Sequence, residues 1–400
     1  MTDQQQKLVP KLRFRGFTED WQQEKLKDIA NFSKGKGYRL KDVTETGTPI
    51  IFYGSLYTNF QEIIYNSGTF VKSVPNSVIS EGNEVIVPSS GETAIEIARA
   101  SAVKKPGIIL GGDLNILSVE KQSTGFVAYY LNSIGPSLSK LAQGNSVVHL
   151  YNHHLRDVQI KLPTLDEQIK IVKLLEKLNE MITLNQEKLR VQKLSYKYYR
   201  DTLIADFQSL STKINFNSSI WKAVKLKNIL KEYVEKTTTE NQTLLLSSTN
   251  NGIELRDGRV DGTSNIGYKI LRKYSLVLSP QNLWLGNINY NDKFEMGMVS
   301  PSYKTYVIQN VNKDYFKHLL RHPYMLYQYG TASVQGASVV RRNLDISAFN
   351  NIKLPIPTST ETQKQIAEFL DSILLKVEQQ EKYLEDLKKL KRYLLNNLFV

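Results

Sequence analysis

The 400-residue chain contains no cysteine. A disulfide framework and thiolate metal sites are therefore excluded, and a reducing cytoplasm is the expected setting. No run of 18 apolar residues occurs, so no membrane partner is expected. The polar, glutamine-rich stretch Met1–Pro10 lacks the apolar core of a signal peptide. Catalytic signatures are missing as well. There is no Pro-Pro pair, which excludes the Asn/Asp-Pro-Pro-aromatic loop of amino-methyltransferases. The Gly35-Lys36 pair is followed by Gly37 and not by the Ser or Thr of a P-loop. No Glu-x-Lys is present, and Asp386-x-Lys388 falls in a long heptad segment, where it reads as a solvated face. His149/His153 and His318/His322 have a spacing that can hold metal on a helix. Neither pair lies in a His-Glu-x-x-His context, and Pro323 follows His322 directly. No catalytic residue, metal site or cofactor is expected in this chain.

Acidic residues are the minority: 39 Asp and Glu against 52 Lys and Arg, a formal charge of +13. That surplus favours a polyanion, with nucleic acid first. At 41% apolar residues the chain can bury real cores, and its length suggests two globular units.

Self-comparison carries most of the information. Trp21–Ile29 recurs as Trp221–Ile229, Gln143–Val148 as Gln335–Val340, and Ile160-Lys-Leu-Pro163 as Ile352-Lys-Leu-Pro355, in the same order. Each copy closes with a Gly- and Pro-free segment whose apolar spacing alternates between three and four, the seam of a coiled coil. In the first copy the seam runs through Leu175, Leu178, Ile182, Asn185, Leu189, Gln192, Tyr196, Tyr199 and Leu203. In the second it runs through Leu370, Ile373, Val377, Gln380, Leu384, Leu387, Lys391, Leu394 and Leu398. A helix of about 40 residues is roughly 60 Å long and cannot leave such a stripe exposed, so the two are expected to pair. Asn185 and Gln380 occupy matching seam positions, either fixing register or marking where the seam faces solvent. Between the helices lie segments with Gly-centred turns and short β-favouring runs such as Val85–Val87, Ile116–Val119, Ser275–Leu278 and Tyr306–Ile308. Brief helices are expected near Gly125–Leu141 and Lys313–Tyr329. The expected division is 1–164 and 211–357 as α+β domains, with long helices over 165–210 and 358–400.

Two unlike α+β domains, each followed by a matching long helix, resemble the specificity subunits of type I restriction–modification systems. Pro10-Lys-Leu-Arg-Phe14 with Phe17-Thr-Glu-Asp-Trp21 is similar to their amino-terminal arm. Ile160-Lys-Leu-Pro163-Thr-Leu-Asp-Glu167-Gln168-Ile169 resembles the segment that opens their conserved helix. The second copy departs, with Glu361-Thr362-Gln363 separating acid from glutamine and three extra residues after Pro355. The resemblance implies two pseudo-twofold-related target recognition domains joined by an antiparallel coiled coil. It also implies double-stranded DNA, two modification (methyltransferase) subunits and restriction/translocase subunits as partners. S-adenosylmethionine, ATP and Mg would then be used by those partners.

Cations in glycine-containing loops reach phosphates, and polar neighbours read base edges. The candidates are Lys34, Lys36, Tyr38, Arg39, Gln143, Asn145 and Ser146 in the first copy, and Gln335, Ser338, Arg341 and Arg342 in the second. A plain structural turn is the competing reading of both loops. A coiled-coil scaffold that binds proteins through its α+β domains is the competing function.

Overall fold

The computed structural model describes residues 8–144, 146–204, 220–256, 264–335 and 342–400. By packing, the chain divides into Met1–Gln186 with Lys382–Val400, and Glu187–Glu381. The helices expected as segments of their own are thus shared out between the two units.

In the first unit, β1 (Gln22–Lys25), β2 (Ala30–Lys34), β3 (Glu84–Pro88), β4 (Ser101–Val103) and β5 (Leu114–Val119) precede helix α1 (Thr124–Ser133). Then come β6 (Gln159–Leu162) and the long helix α2 (Leu165–Leu203). The main sheet runs β2-β5-β3-β4, with Ile63–Ile64 added parallel at its edge. Strand residues alternate between faces. Val85, Val87, Leu117 and Val119 pack toward Phe126 and Tyr129 of α1. Ile86, Leu114 and Ile116 join Ile51 and Leu110 of a second sheet. With both faces covered, β3 is buried along its whole length.

The second unit repeats this plan with β7 (Trp221–Lys225), β8 (Leu230–Tyr233), β9 (Ser275–Leu278), β10 (Ile288–Tyr290), β11 (Lys304–Ile308), α3 (Lys313–Leu319), β12 (Lys353–Pro357) and α4 (Thr360–Asn397). The order β8-β11-β9-β10 matches the first sheet. Leu276 and Leu278 face Tyr315 and Phe316, whereas Val277 faces Leu246 and Val299. The two helical segments expected in the domains are each broken, by Pro136 and Pro323, into shorter pieces.

The repeat register differs from the sequence match. Leu26 N–H donates to Val158 O and Leu226 N–H to Ile352 O, both at 2.9 Å. β1 pairs Gln22 with Leu162, and β7 pairs Trp221 with Pro357. Pro163 therefore corresponds to Pro357, not Pro355, and the extra residues shrink from three to one. Gln168 and Gln363 then stand in the same place. Gln168 Nε2 donates to Pro163 O at 2.9 Å, and its Oε1 accepts from Ser123 N–H at 3.0 Å. Gln363 Nε2 donates to Pro357 O and its Oε1 accepts from Asn312 N–H, both at 2.8 Å. Each buried glutamine ties helix start, strand end and the cap of α1 or α3 together. Glu167, by contrast, is fully buried against the Arg13 guanidinium at 2.8 and 2.9 Å, an arm-specific contact that Thr362 does not copy.

The seam follows the expected spacing. Leu175 and Leu178 are buried in the first unit's core together with Leu387 and Leu394 of α4 and Leu398 just after it. In the second unit Ile204 and Leu370 share a core. There Lys193 pairs with Glu381 at 2.6 Å and Tyr199 meets Phe369 edge-on at 5.1 Å, so rising numbers on α2 meet falling numbers on α4. This is antiparallel pairing. Ile182, Asn185, Leu189 and Ile373 are half-buried, while Val377, Gln380 and Leu384 are buried. Neither polar seam residue faces open solvent, and Asn185 Nδ2 donates back to Met181 O at 2.7 Å. Tyr199, one seam position before Leu203, is 40% exposed. Helix α2 is described to Leu203, and 205–210 lie outside the described residues.

Candidate nucleic-acid interface

The loop after β2 is held as a close-packed edge. Gly35 N–H donates to Leu114 O at 2.9 Å, and a Cβ on Gly35 would lie 1.8 Å from Gly111 O, so only glycine fits. Tyr38, with φ +60°, turns inward. Its hydroxyl meets Ser77 Oγ at 2.6 Å and accepts Val74 N–H at 3.0 Å, and its ring packs on Ile50, Val71 and Ile109. Tyr38 anchors the loop, which leaves exposed Lys34, Lys36 and Arg39 as the outward side chains.

The second candidate loop of this unit is a hairpin. Gln143 and His149 exchange backbone hydrogen bonds of 2.9 and 2.7 Å. Gly144 at its tip has φ +120°, and a Cβ there would lie 2.1 Å from Val147 O. Gln143, Ser146 and Val147 are exposed, while Asn145 lies outside the described residues. An aromatic stack joins the two loops. Tyr151 stacks on His149 at 5.7 Å and on His153 at 5.6 Å, and Lys34 Nζ lies 5.3 Å from the Tyr151 centroid. Burial, and next the neighbouring His153, hold the His154 imidazole below its ordinary pKa. Sequence reasoning missed this stack because it read the histidines at helical spacing. The usable signal was alternation, His149-x-Tyr151-x-His153. Among the described residues no group of three or more His, Asp or Glu is placed to hold a metal ion.

In the second unit the matching hairpin pairs Ser333–Gln335 with Arg342–Leu344, Gln335 opposite Arg342. Ser338 and Arg341 lie outside the described residues. Arg342 N–H donates to Gln281 O at 3.3 Å, and its guanidinium lies 4.4 Å over the Trp284 ring. Sequence comparison could not find Trp284, because the first copy has no counterpart to it. Two other cations of this unit are spent internally: Arg272 on Glu235 at 2.6 Å and Lys304 on Glu232 at 2.9 Å.

Below each surface, one domain side chain contacts both long helices. In the first unit Glu62 accepts from Asn179 of α2 at 3.3 Å and from Lys391 of α4 at 2.5 Å. In the second, His318 meets the Tyr196 hydroxyl of α2 and the Asp371 carboxylate of α4, each at 2.9 Å. His318 is buried, and Lys317 adds a 2.8 Å pair to Asp371.

One three-layer module built twice, each copy presenting a hairpin with its own side chains, defines a duplicated binding protein with two unlike surfaces. The family described as the type I restriction modification DNA specificity domain matches residues 18–192 and again 213–389, and the chain belongs to that family. It is 24% identical over 409 aligned positions to the type I restriction enzyme MjaVIII specificity subunit of Methanocaldococcus jannaschii, covering 95% of this chain and 92% of that one. The fold is similar to the type I restriction–modification S subunit from M. genitalium, with TM-score 0.63 at 17% identity over 98% and 99% of the chains. A second solved chain, from work on complex assembly and conformational transition of the type I R-M system, gives TM-score 0.54 at 14% identity over 96% and 98%. Specificity subunits of this family are non-catalytic. Among the described residues no helix is long and apolar enough to cross a membrane.

Proposed function

We propose that this specificity subunit reads a split, asymmetric sequence in double-stranded DNA, one half with each α+β domain. The observation that carries the reading is the repetition of one module with unlike side chains at matching hairpins: Gln143, Gly144 and Ser146 in one, Arg342 beside Trp284 in the other. A duplicated chain of this kind acts like a dimeric reader, yet its target need not be a palindrome. The exposed cations Lys34, Lys36 and Arg39, on a chain of net charge +13, suit the phosphate backbone.

The chemistry belongs to partners. Two modification subunits docked on the long helices would methylate adenine with S-adenosylmethionine. Restriction subunits would use ATP and Mg to translocate and cut unmodified DNA. The test is to express the chain with its modification subunits and map methylated adenines by sequencing. Two specified blocks separated by a fixed unread gap support the reading. A single continuous motif, or no sequence preference, overturns it.

A further inference from the structure

We propose that Arg342 is the base-reading side chain of the second domain, that it specifies a guanine, and that Trp284 positions it; this rests on the two-reader function above. The backbone of Arg342 is held on both sides, by its pairing with Gln335 and by the hydrogen bond to Gln281 O. Its guanidinium lies 4.4 Å over the indole. The side chain is half-buried, and Nε is buried with no hydrogen-bond partner among the described residues. Among the described residues the side chain makes no ion pair, unlike Arg272 and Lys304 of the same domain. The result is a fork whose inner edge is covered and whose outer edge has no partner among the described residues.

The support beneath it is stiff. Trp284 sits in the turn Leu283–Leu285, pinned by fully buried Leu283 and closed by Gly286 at φ +83°. Gly286 lies against Leu326 of the helix Pro323–Thr331, where a Cβ would come within 3.0 Å of that side chain. Stacking on an aromatic face fixes the plane and the rotamer of a guanidinium. A phosphate contact gains little from such restraint, since a mobile lysine serves it well. Two parallel donors fixed in one plane match O6 and N7 on the major-groove edge of guanine. At the corresponding place in the first hairpin, opposite Gln143 as Arg342 is opposite Gln335, stands His149, stacked on Tyr151. The two domains therefore differ in this reading group.

The experiment uses the assembled methyltransferase carrying wild-type chain, Arg342→Lys, Arg342→Ala, Trp284→Phe or Trp284→Ala, with methylated sites read by sequencing. The expected wild-type second half-site contains a fixed G·C pair. Both Arg342 variants should relax preference at that pair by about tenfold to a hundredfold, leaving the first half-site unchanged. Trp284→Ala should relax the same position, and Trp284→Phe should retain much of the preference. If a variant methylates too little to read, competition binding by the assembled complex, with the G·C pair replaced in the duplex, supplies the same comparison. A second half-site without a G·C pair overturns the proposal. So does full discrimination by Arg342→Lys, or a uniform loss across all sequences, the mark of a phosphate contact. A wild-type map without two blocks would instead sink the two-reader function.

Discussion

Replacing Phe399 by alanine tests whether the return of the second long helix, with the residues just past it, completes the core of the first domain. Phe399 is 8% exposed, and its ring lies 5.5 Å from Phe126 and 6.1 Å from Tyr130. Truncating a buried phenylalanine costs about 3–5 kcal/mol, and a side chain at the edge of the core that still touches solvent belongs at the low end, about 3 kcal/mol. Phe399→Leu keeps most of the apolar area and loses the ring contacts, which predicts about 1 kcal/mol. Tyr393→Ala, on the exposed face of the same helix, should stay within about 0.5 kcal/mol. Trp21 is a local reporter, being buried and 5.6 Å from Phe126. In a Trp221→Phe, Trp284→Phe background its fluorescence follows urea unfolding of the first unit alone. If Phe399→Ala and Tyr393→Ala shift the midpoint equally little, the antiparallel return of α4 into this core is wrong.

Gln168→Ala should strand Ser123 N–H and Pro163 O, costing about 2–3 kcal/mol by urea titration, and Gln363→Ala should cost about the same in the second unit. A clear inequality would mean the two glutamines are not equivalent staples. Asp371 is pushed up by burial, the largest single influence, but hydrogen bonds from His318 and Lys317 together hold it below the ordinary value of 3.8. A depressed carboxylate stabilises the fold above its unfolded pKa, and that contribution is lost as pH falls through the folded pKa. Asp371→Asn should therefore flatten the acid limb of the second unit's stability profile below about pH 4, and an unchanged limb would refute this. Lys36→Ala with Arg39→Ala should lower the salt dependence of DNA binding by the assembled methyltransferase by about one unit of slope per residue. An unchanged slope would remove that loop from the interface.

The heptad seam was legible because burial on a helix repeats at a spacing that side chains record directly, as Leu175, Leu178, Leu370 and Leu384 do. The strand register after it was not. A strand presents the same face every two residues, so Ile160-Lys-Leu-Pro163 fits Ile352-Lys-Leu-Pro355 as well as it fits the true partners two positions on. Strand order was equally out of reach, since the apolar runs in β3 and β9 are covered on both faces and carry no alternation to orient them. Tyr38 was singled out for its company of Lys34, Lys36 and Arg39, yet its left-handed backbone directs it into a small core. Trp284 acts through a contact with the distant Arg342, which no local pattern records, whereas the His149–Tyr151–His153 stack was written in the sequence as an alternation hidden under the helical spacing of its histidines.

The division of the chain has a consequence for its synthesis. The second unit, Glu187–Glu381, is one continuous stretch and can close as soon as it has emerged from the ribosome. The first unit begins earlier yet lacks Leu387, Leu394, Leu398 and Phe399 until the whole of the second unit has been made. The part translated first is thus completed only after the second unit, and its unfilled apolar surface is what a chaperone would have to shield in the interval.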